Sequence, residues 1–324
     1  MKVCLGIDTS NYRTSTALCA LKSGAKDSLF YEERRLLTVE MGQRGLQQSQ
    51  ALFQHIARLP ELMEKLLSAH PECEVAAVCV STRPRPAEDS YMPVFRAGEC
   101  AARTAAAALH APCFFTSHQE GHLAAARIGT SLDAEKPYLA LHLSGGTTEV
   151  LAVSPGRYEL LGGSKDLHAG QLIDRVGVKL GLPFPAGPEL EKLAAKGCAQ
   201  ARLSASLHGL ECHFSGAETK ALKWIESGEL SPEDVAAETF GCVARTVARL
   251  VLAGCEKANA TQALLAGGVA SSALLRGEII ERVSKRNAEI RLHFARPELS
   301  GDNAVGVALI GAEKFGGGAV GQAD

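Results

Sequence analysis

Apolar and polar positions alternate along the chain so as to divide it into strands and helices in a repeating order. Lys2 to Asp8 is a short apolar run ending in an acid, Asn11 to Arg13 carries turn chemistry, and Thr14 to Leu21 is β-branched and apolar. Together these predict a β-hairpin. Leu52, Phe53, Ile56, Leu59, Leu62, Met63, Leu66 and Leu67 recur at helical spacing and predict a helix over Leu46 to Ala69. Val75 to Ser81 predicts a buried strand, broken by Pro84 and Pro86. An Ala-rich helix follows over Pro93 to Leu109, then a strand over Cys113 to Thr116. Ser117 is placed to cap a helix running through Ile128.

The second half begins in the same way. Tyr138 to Leu143 and Glu149 to Val153 flank the turn Ser144-Gly145-Gly146-Thr147-Thr148, a second strand-turn-strand unit. Helices over 170–180 and 189–195 are separated by a Pro/Gly-rich corner. A long helix covers Pro232 to Glu256. A strand over Ala263 to Ala266 closes on Gly267-Gly268, and a helix over 270–285, a strand over Ile290 to Phe294 and a helix over Asp302 to Phe315 complete the pattern. The Gly-rich tail from Gly316 is expected to fray. Two hairpins with small-residue turns, each followed by further strands and helices, read as an internal duplication around a cleft.

Composition narrows the class. At 324 residues the chain is too long for one ordinary core and suits two lobes. A formal net charge of −2 is no overall signature of nucleic-acid binding, and leaves room only for a local basic patch or a partner that holds RNA. The 10 cysteines include no CxxC pair, and Cys4, Cys19, Cys79 and Cys242 sit in apolar runs as reduced small hydrophobes. There is neither a signal-peptide pattern nor an apolar run of membrane-spanning length, so a cytoplasmic chain is expected.

Several motifs carry chemistry, each with a plainer alternative. In Gly6-Ile7-Asp8-Thr9-Ser10, a tight turn with hydroxyls could hold phosphate oxygens and Asp8 could orient a metal or water, giving Asp8 and Ser10 catalytic roles; the motif is equally a polar turn capped by Asp8. Ser144, Gly145, Gly146 and Thr147 form a turn whose backbone can approach an anion, or a plain Gly-Gly hairpin. Gly267 and Gly268 could lie flat against an adenine ring, with Ser272 beside them or acting only as a helix cap. His118 and His122, at i and i+4, share a helix face and can chelate one metal, or are two surface histidines. Glu120 lies roughly 200° around the helix from His118, so a zinc-protease base is missing. Asp302 could be a third ligand or a helix N-cap. A cation beside helix N-termini meets an unfavourable dipole and would require anionic neighbours, Asp302 and nucleotide phosphates. Asp174 could accept from ribose hydroxyls, or pair with Arg175.

In this order the motifs resemble the TsaD/Gcp family of tRNA threonylcarbamoyltransferases over nearly the whole chain. The resemblance rests on Leu5 to Ser10, His118-xxx-His122, Leu143 to Gly146, Asp174 with Leu180 to Pro188, Phe214-Ser215-Gly216, Gly267-Gly268-Val269 and Asp302-Asn303-Ala304. It implies a two-lobed α/β fold of the actin-like ATPase (ASKHA) type, with duplicated ribonuclease-H-like lobes: 1–125 with the 302–324 helix packing back, and 126–301. It implies one divalent metal, iron or zinc, held by His118, His122 and Asp302, and an adenine nucleotide or threonylcarbamoyl-adenylate at Ser144 to Thr147, Asp174, Gly187, Gly267, Gly268 and Ser272. It further implies transfer of the threonylcarbamoyl group to N6 of a tRNA adenosine beside the anticodon, with a homologous partner subunit and an ATPase partner, and no membrane. The chain departs from the family pattern at Tyr12, Arg13, Thr147 and Ser272, and Arg83-Pro84-Arg85-Pro86 replaces a Gly-Pro-Gly loop. These departures keep two alternatives in view: a divergent paralogue that carbamoylates another acceptor, gripped by Arg83, Arg85 and Arg96, and a nucleotide-binding, non-catalytic partner subunit.

Overall fold

A computed structural model describes residues 1–10, 12–21, 25–38, 46–87, 89–200 and 202–317. Asn11 of the first hairpin turn and the end of the Gly-rich tail lie outside the described residues. Contacts divide the chain into two units, Met1–Thr130 with Glu298–Asp324, and Ser131–Pro297.

The first unit contains strands β1 (Lys2–Thr9), β2 (Arg13–Ala20), β3 (Phe30–Leu36), β4 (Glu74–Arg83) and β5 (Cys113–Ser117), with helices α1 (Gln48–Ala69), α2 (Phe95–Leu109), α3 (His118–Arg127) and α9 (Val305–Gly316). Its sheet order is β3-β2-β1-β4-β5, with β1 antiparallel to β2 and parallel to β4. Successive side chains on a strand face opposite sides. Val3, Leu5 and Ile7 therefore pack with Leu59, Leu66 and Ala102 of α1 and α2, while Cys4 joins Cys19 and Cys79 against α3 and α9. The four cysteines expected to be buried are buried and free, and burial pushes the Cys79 thiol up to about 12, which keeps it inert.

The second unit contains β6 (Tyr138–Leu143), β7 (Thr148–Ser154), β8 (Arg157–Ser164), α4 (Ala169–Lys179), α5 (Gly187–Ala194), β9 (Ser206–His208), β10 (Glu211–His213), α6 (Ser215–Ser227), α7 (Pro232–Lys257), β11 (Gln262–Ala266), α8 (Ala273–Ser284) and β12 (Arg291–Phe294). Its sheet order is β12-β11-β6-β7-β8-β10-β9. The run β8-β7-β6-β11-β12 repeats the order and strand directions of the first unit: an antiparallel meander, then two strands parallel to its first. The two sheets thus repeat one α/β plan, the duplication that the paired hairpins predicted, and the fold is the actin-like one that the resemblance implied.

Differences from the sequence reading have physical causes. β3 carries Glu32, Glu33, Arg34 and Arg35, so its pattern does not read as a strand; as an edge strand with one neighbour it tolerates that charge. β8 and α6 were also not predicted. On α1, Phe53 is 73% and Ile56 57% exposed, although both match the helical period, because the sheet covers only the stripe through Ala51, His55, Leu59, Leu62 and Leu66. The last helix begins at Val305, three residues later than predicted, which leaves Asp302 in the turn before it.

Candidate functional site

In the first unit the ends of β1 and α3 and the turn before α9 bring chemistry together. Ser117 ends β5 and caps α3: its hydroxyl accepts from Glu120 N, and Glu120 Oε2 accepts from Ser117 N at 2.7 Å. Glu120 is thereby committed to the cap. The cap starts the helix at His118, so His118 and His122 fall one above the other on its first turns. Their Nε2 atoms face each other at 3.0 Å, with the rings nearly perpendicular.

Asp302 closes this group. Its Oδ1 lies 3.3 Å from His122 Nε2 and 3.6 Å from His118 Nε2. The capping role that the sequence left open falls to its neighbour: Asn303 Oδ1 accepts from Val305 N at 3.0 Å. Asp302 is held from two other sides, since Ser10 Oγ donates to its Oδ2 at 2.8 Å and Arg13 donates to its carbonyl at 3.0 Å. Arg13, a departure from the family pattern, thus supports the triad, while Tyr12 is exposed.

Asp8 lies behind His118 and is fully buried. Both its oxygens accept from His118 Nδ1, at 2.9 and 3.1 Å, and Ser81 Oγ donates to Oδ1. In the neutral imidazole a carboxylate on Nδ1 fixes the proton there and leaves Nε2 as the lone-pair atom turned to the triad. Asp8 is therefore placed to orient a ligand rather than to touch a reactant. His55, which the sequence reading did not single out, sits fully buried on α1. It donates from Nε2 to the Ser10 carbonyl at 2.9 Å, and Nδ1 accepts from Thr14 at 2.8 Å. Burial lowers its pKa to about 4, so it stays neutral and can do both. Only its mid-helix position in an apolar pattern could have marked it.

The donor set suits a divalent cation. Metal–ligand distances of about 2.0–2.2 Å at tetrahedral angles put donor atoms roughly 3.3–3.6 Å apart, close to the 3.0, 3.3 and 3.6 Å found. Two imidazoles and one carboxylate favour zinc or iron over calcium or magnesium. The buried Asp8 charge answers the unfavourable α3 dipole.

The protonation state gives a first prediction. Burial opposes charge on His118, but Asp8 and Asp302 outweigh it and raise its pKa to about 10. Burial would also raise the Asp302 pKa, yet both histidines hold it well below the ordinary carboxylate range. With no ion bound, charged His118 stabilises the fold below its ordinary pKa, and this is lost as pH rises through about 10. A ligating histidine must give up that proton. Zinc binding at neutral pH should therefore release close to one proton per ion, with affinity rising as pH increases. Calorimetry in buffers of different ionisation enthalpy reads the number; no buffer dependence would refute the assignment.

The second unit contains a pocket of about 420 Å³ lined by Gly145, Gly170, Asp174, Gly187, Gly268 and Ser272, among others. The size suits a small ligand. Three helices open towards it: Gly170 in the first turn of α4, Gly187 at the start of α5, and Ser272 at the N-cap of α8, where its Oγ accepts from Leu275 N. Helix N-terminal dipoles favour an anion, but the carboxylates of Asp174 and Glu191 also line the pocket, and the first amides of α8 are taken within the protein, Leu274 N by Glu191 and Leu275 N by Ser272. Asp174 Oδ1 accepts from Ala186 N at 2.8 Å and so orders the proline corner, while Arg175 pairs with Glu218 rather than with Asp174. The turn after β6 is closed by Ser144 N donating to the Thr147 carbonyl. Gly145 lines the pocket, whereas Ser144, Gly146 and Thr147 are not among its lining residues. Gly267 is needed for conformation (φ 95°), and a side chain there would collide with the Leu143 carbonyl; Gly268 is open and lines the pocket.

Comparison with known proteins bears on the family and the fold. The profile of the family described as TsaD, tRNA N6-adenosine threonylcarbamoyltransferase, matches residues 39–309. A tRNA N6-adenosine threonylcarbamoyltransferase of Methanopyrus kandleri is 33% identical over 273 residues, covering 82% of this chain and 76% of the relative. Among solved structures, T. kodakarensis HypF superposes with a TM-score of 0.65 at 16% identity over 98% of this chain; the chain spans about half of HypF, 48%. Component A of the (R)-2-hydroxyglutaryl-CoA dehydratase of Acidaminococcus fermentans superposes with a TM-score of 0.53 at 13% identity, covering 97% of this chain and 99% of that one. The structural likenesses establish the fold, and the sequence match establishes the kinship: the chain belongs to the TsaD family of tRNA N6-adenosine threonylcarbamoyltransferases.

Proposed function

We propose that the chain is a metal-dependent acyltransferase that moves a threonylcarbamoyl group from its adenylate to N6 of a tRNA adenosine next to the anticodon. Family membership supports a transferase acting on tRNA. The observation that carries the metal-dependent reading is the triad of His118, His122 and Asp302 with Asp8 behind it.

In the reaction the N6 lone pair attacks the carbamoyl carbon of the mixed anhydride. The bond from that carbon to the phosphate oxygen breaks, AMP leaves with the electron pair, and N6 loses a proton. A bound zinc or iron ion would supply Lewis acidity toward carbonyl or phosphate oxygens. Asp8 keeps the proton on His118 Nδ1 and so keeps Nε2 a donor. Ser10 and Arg13 hold Asp302 in place, with His55 fixing Ser10 through its carbonyl. In the second unit the glycine-lined pocket would take the adenylate, with Asp174 Oδ2 left for a ribose hydroxyl. The exposed Phe53 and Ile56 on α1 support a partner subunit covering that helix.

The test is direct. Metal-loaded chain, threonylcarbamoyl-adenylate and an unmodified tRNA transcript are combined, with and without the homologous partner subunit, and digested nucleosides are read by mass spectrometry. Modified adenosine that disappears with chelator supports the proposal. Unmodified tRNA alongside a carbamoylated small-molecule or protein amine would replace the acceptor.

A further inference from the structure

On a chain whose net charge is −2, five cations gather on α7 and α8. A hollow of about 280 Å³ is lined by seven residues, of which Arg245, Arg249, Arg282, Lys285 and Arg286 are cationic. Three of these are anchored. Arg245 donates to the Leu203 carbonyl, Arg282 pairs with Glu278 at 2.7 Å, and Lys285 pairs with Glu281. The side chains of Arg249 and Arg286 are exposed and have no hydrogen-bond or ion-pair partner among the described residues. Both also line a neighbouring open groove of about 750 Å³, so they stand on the ridge between two concavities. Arg282 adds a buried Nε with no acceptor.

A helix C-terminus attracts cations, and this accounts for Lys285 and Arg286 at the end of α8. It does not account for Arg249, which lies inside α7 one turn from Arg245. The floor between them is Ala248 and Leu252, a narrow apolar strip, and none of the large exposed apolar side chains lines the hollow. An apolar insertion into a membrane is therefore not provided for. Four guanidinium forks to one ammonium suit planar, two-toothed contacts with phosphate oxygens.

Both helices also lead back to the pocket of about 420 Å³ in the same unit, which Phe240 of α7 and Leu275 of α8 help to line. Arg249 follows Phe240 by about 14 Å of helix and Arg282 follows Leu275 by about 10 Å, the span of a few nucleotides. We propose that the α7/α8 ridge, centred on Arg249 and Arg286, is a docking surface for the phosphate backbone of the RNA substrate. The RNA partner rests on the proposed function; the cationic ridge itself does not.

The test is the double charge reversal R249E/R286E in the full chain, at two exposed positions with no partner to lose, against R157E elsewhere in the second unit as control. Binding of an unmodified tRNA transcript is read by fluorescence anisotropy across a salt series, with no donor present. The expected result is at least about a tenfold loss of affinity near 0.1 M salt, and a salt slope shallower by about 2, because two phosphate contacts are removed. The control should match wild type. Unchanged affinity and slope in the double variant overturn the proposal, as does wild-type protein that binds no tRNA. Loss of binding to phosphatidylserine vesicles with tRNA affinity unchanged overturns it in favour of a lipid surface. A chain that binds tRNA through this ridge but transfers nothing upholds the ridge and sinks the functional reading instead.

Discussion

On the proposed function, alanine in place of His118 is expected to abolish metal binding and, with it, transfer activity. Elemental analysis after dialysis should fall from about one ion per chain to near none, and metal affinity and turnover should each drop by more than about 100-fold. The imidazole supplies one of three donor atoms, and the two that remain, His122 Nε2 and Asp302 Oδ1, are 3.3 Å apart and cannot enclose an ion. Asp8→Asn makes a graded comparison. It keeps the shape behind His118 but removes the negative charge on which the Nδ1 proton rests. A loss of about 10- to 100-fold in metal affinity with the fold intact is expected, the usual cost of a lost orienting partner. Full metal occupancy in His118→Ala would show that the ion, if any, binds elsewhere.

Gly306→Ala should be among the most damaging single-methyl changes in the chain. A Cβ at this position would overlap the Gly121 carbonyl oxygen and come within 2.6 Å of Ala125 N, both of them backbone atoms of α3. No side chain can turn aside, so α3 and α9 must move apart. Overpacking of ordinary cores costs about 1–3 kcal/mol; a clash with backbone on a helix pair belongs at or above the upper end, and urea denaturation should show a loss of about 3 kcal/mol or more. The consequence for function is specific. α3 carries His118 and His122, and α9 is preceded by the turn that holds Asp302. Whatever variant still folds should have lost metal affinity, because the two halves of the triad ride on the two helices that the methyl group separates. A variant with wild-type stability and metal content would contradict the packing described here.

Much of this was legible from local pattern. Ser117 followed by Glu120 forms a capping box, and it places His118 and His122 on one helix face without reference to the rest of the chain. The 3.6-residue period marked α1 and α7, and the two small-residue turns marked the starts of both sheets. Local pattern fails where a neighbour distant in sequence decides the outcome. β3 is a charged segment that becomes a strand only because β2 offers it an open edge. Phe53 and Ile56 fit the α1 period but face away from the sheet that covers the rest of the stripe.

The site divides along the same line. Residue type and spacing alone determined which side chains can ligate a metal and where α3 starts, since both depend on contacts within a few residues. Whether Asp302 would cap a helix or face the histidines depended on whether Asn303 could take the cap instead. Whether Asp8 would meet substrate or stand behind His118 depended on β1 being buried beside β4, where Ser81 reaches the same carboxylate. The meeting of Asp302 with the histidines and the burial of Asp8 come from packing between segments distant in sequence, such as Gly121 against Gly306 and Ser81 against Asp8, and close approach of that kind leaves no periodic trace in the chain.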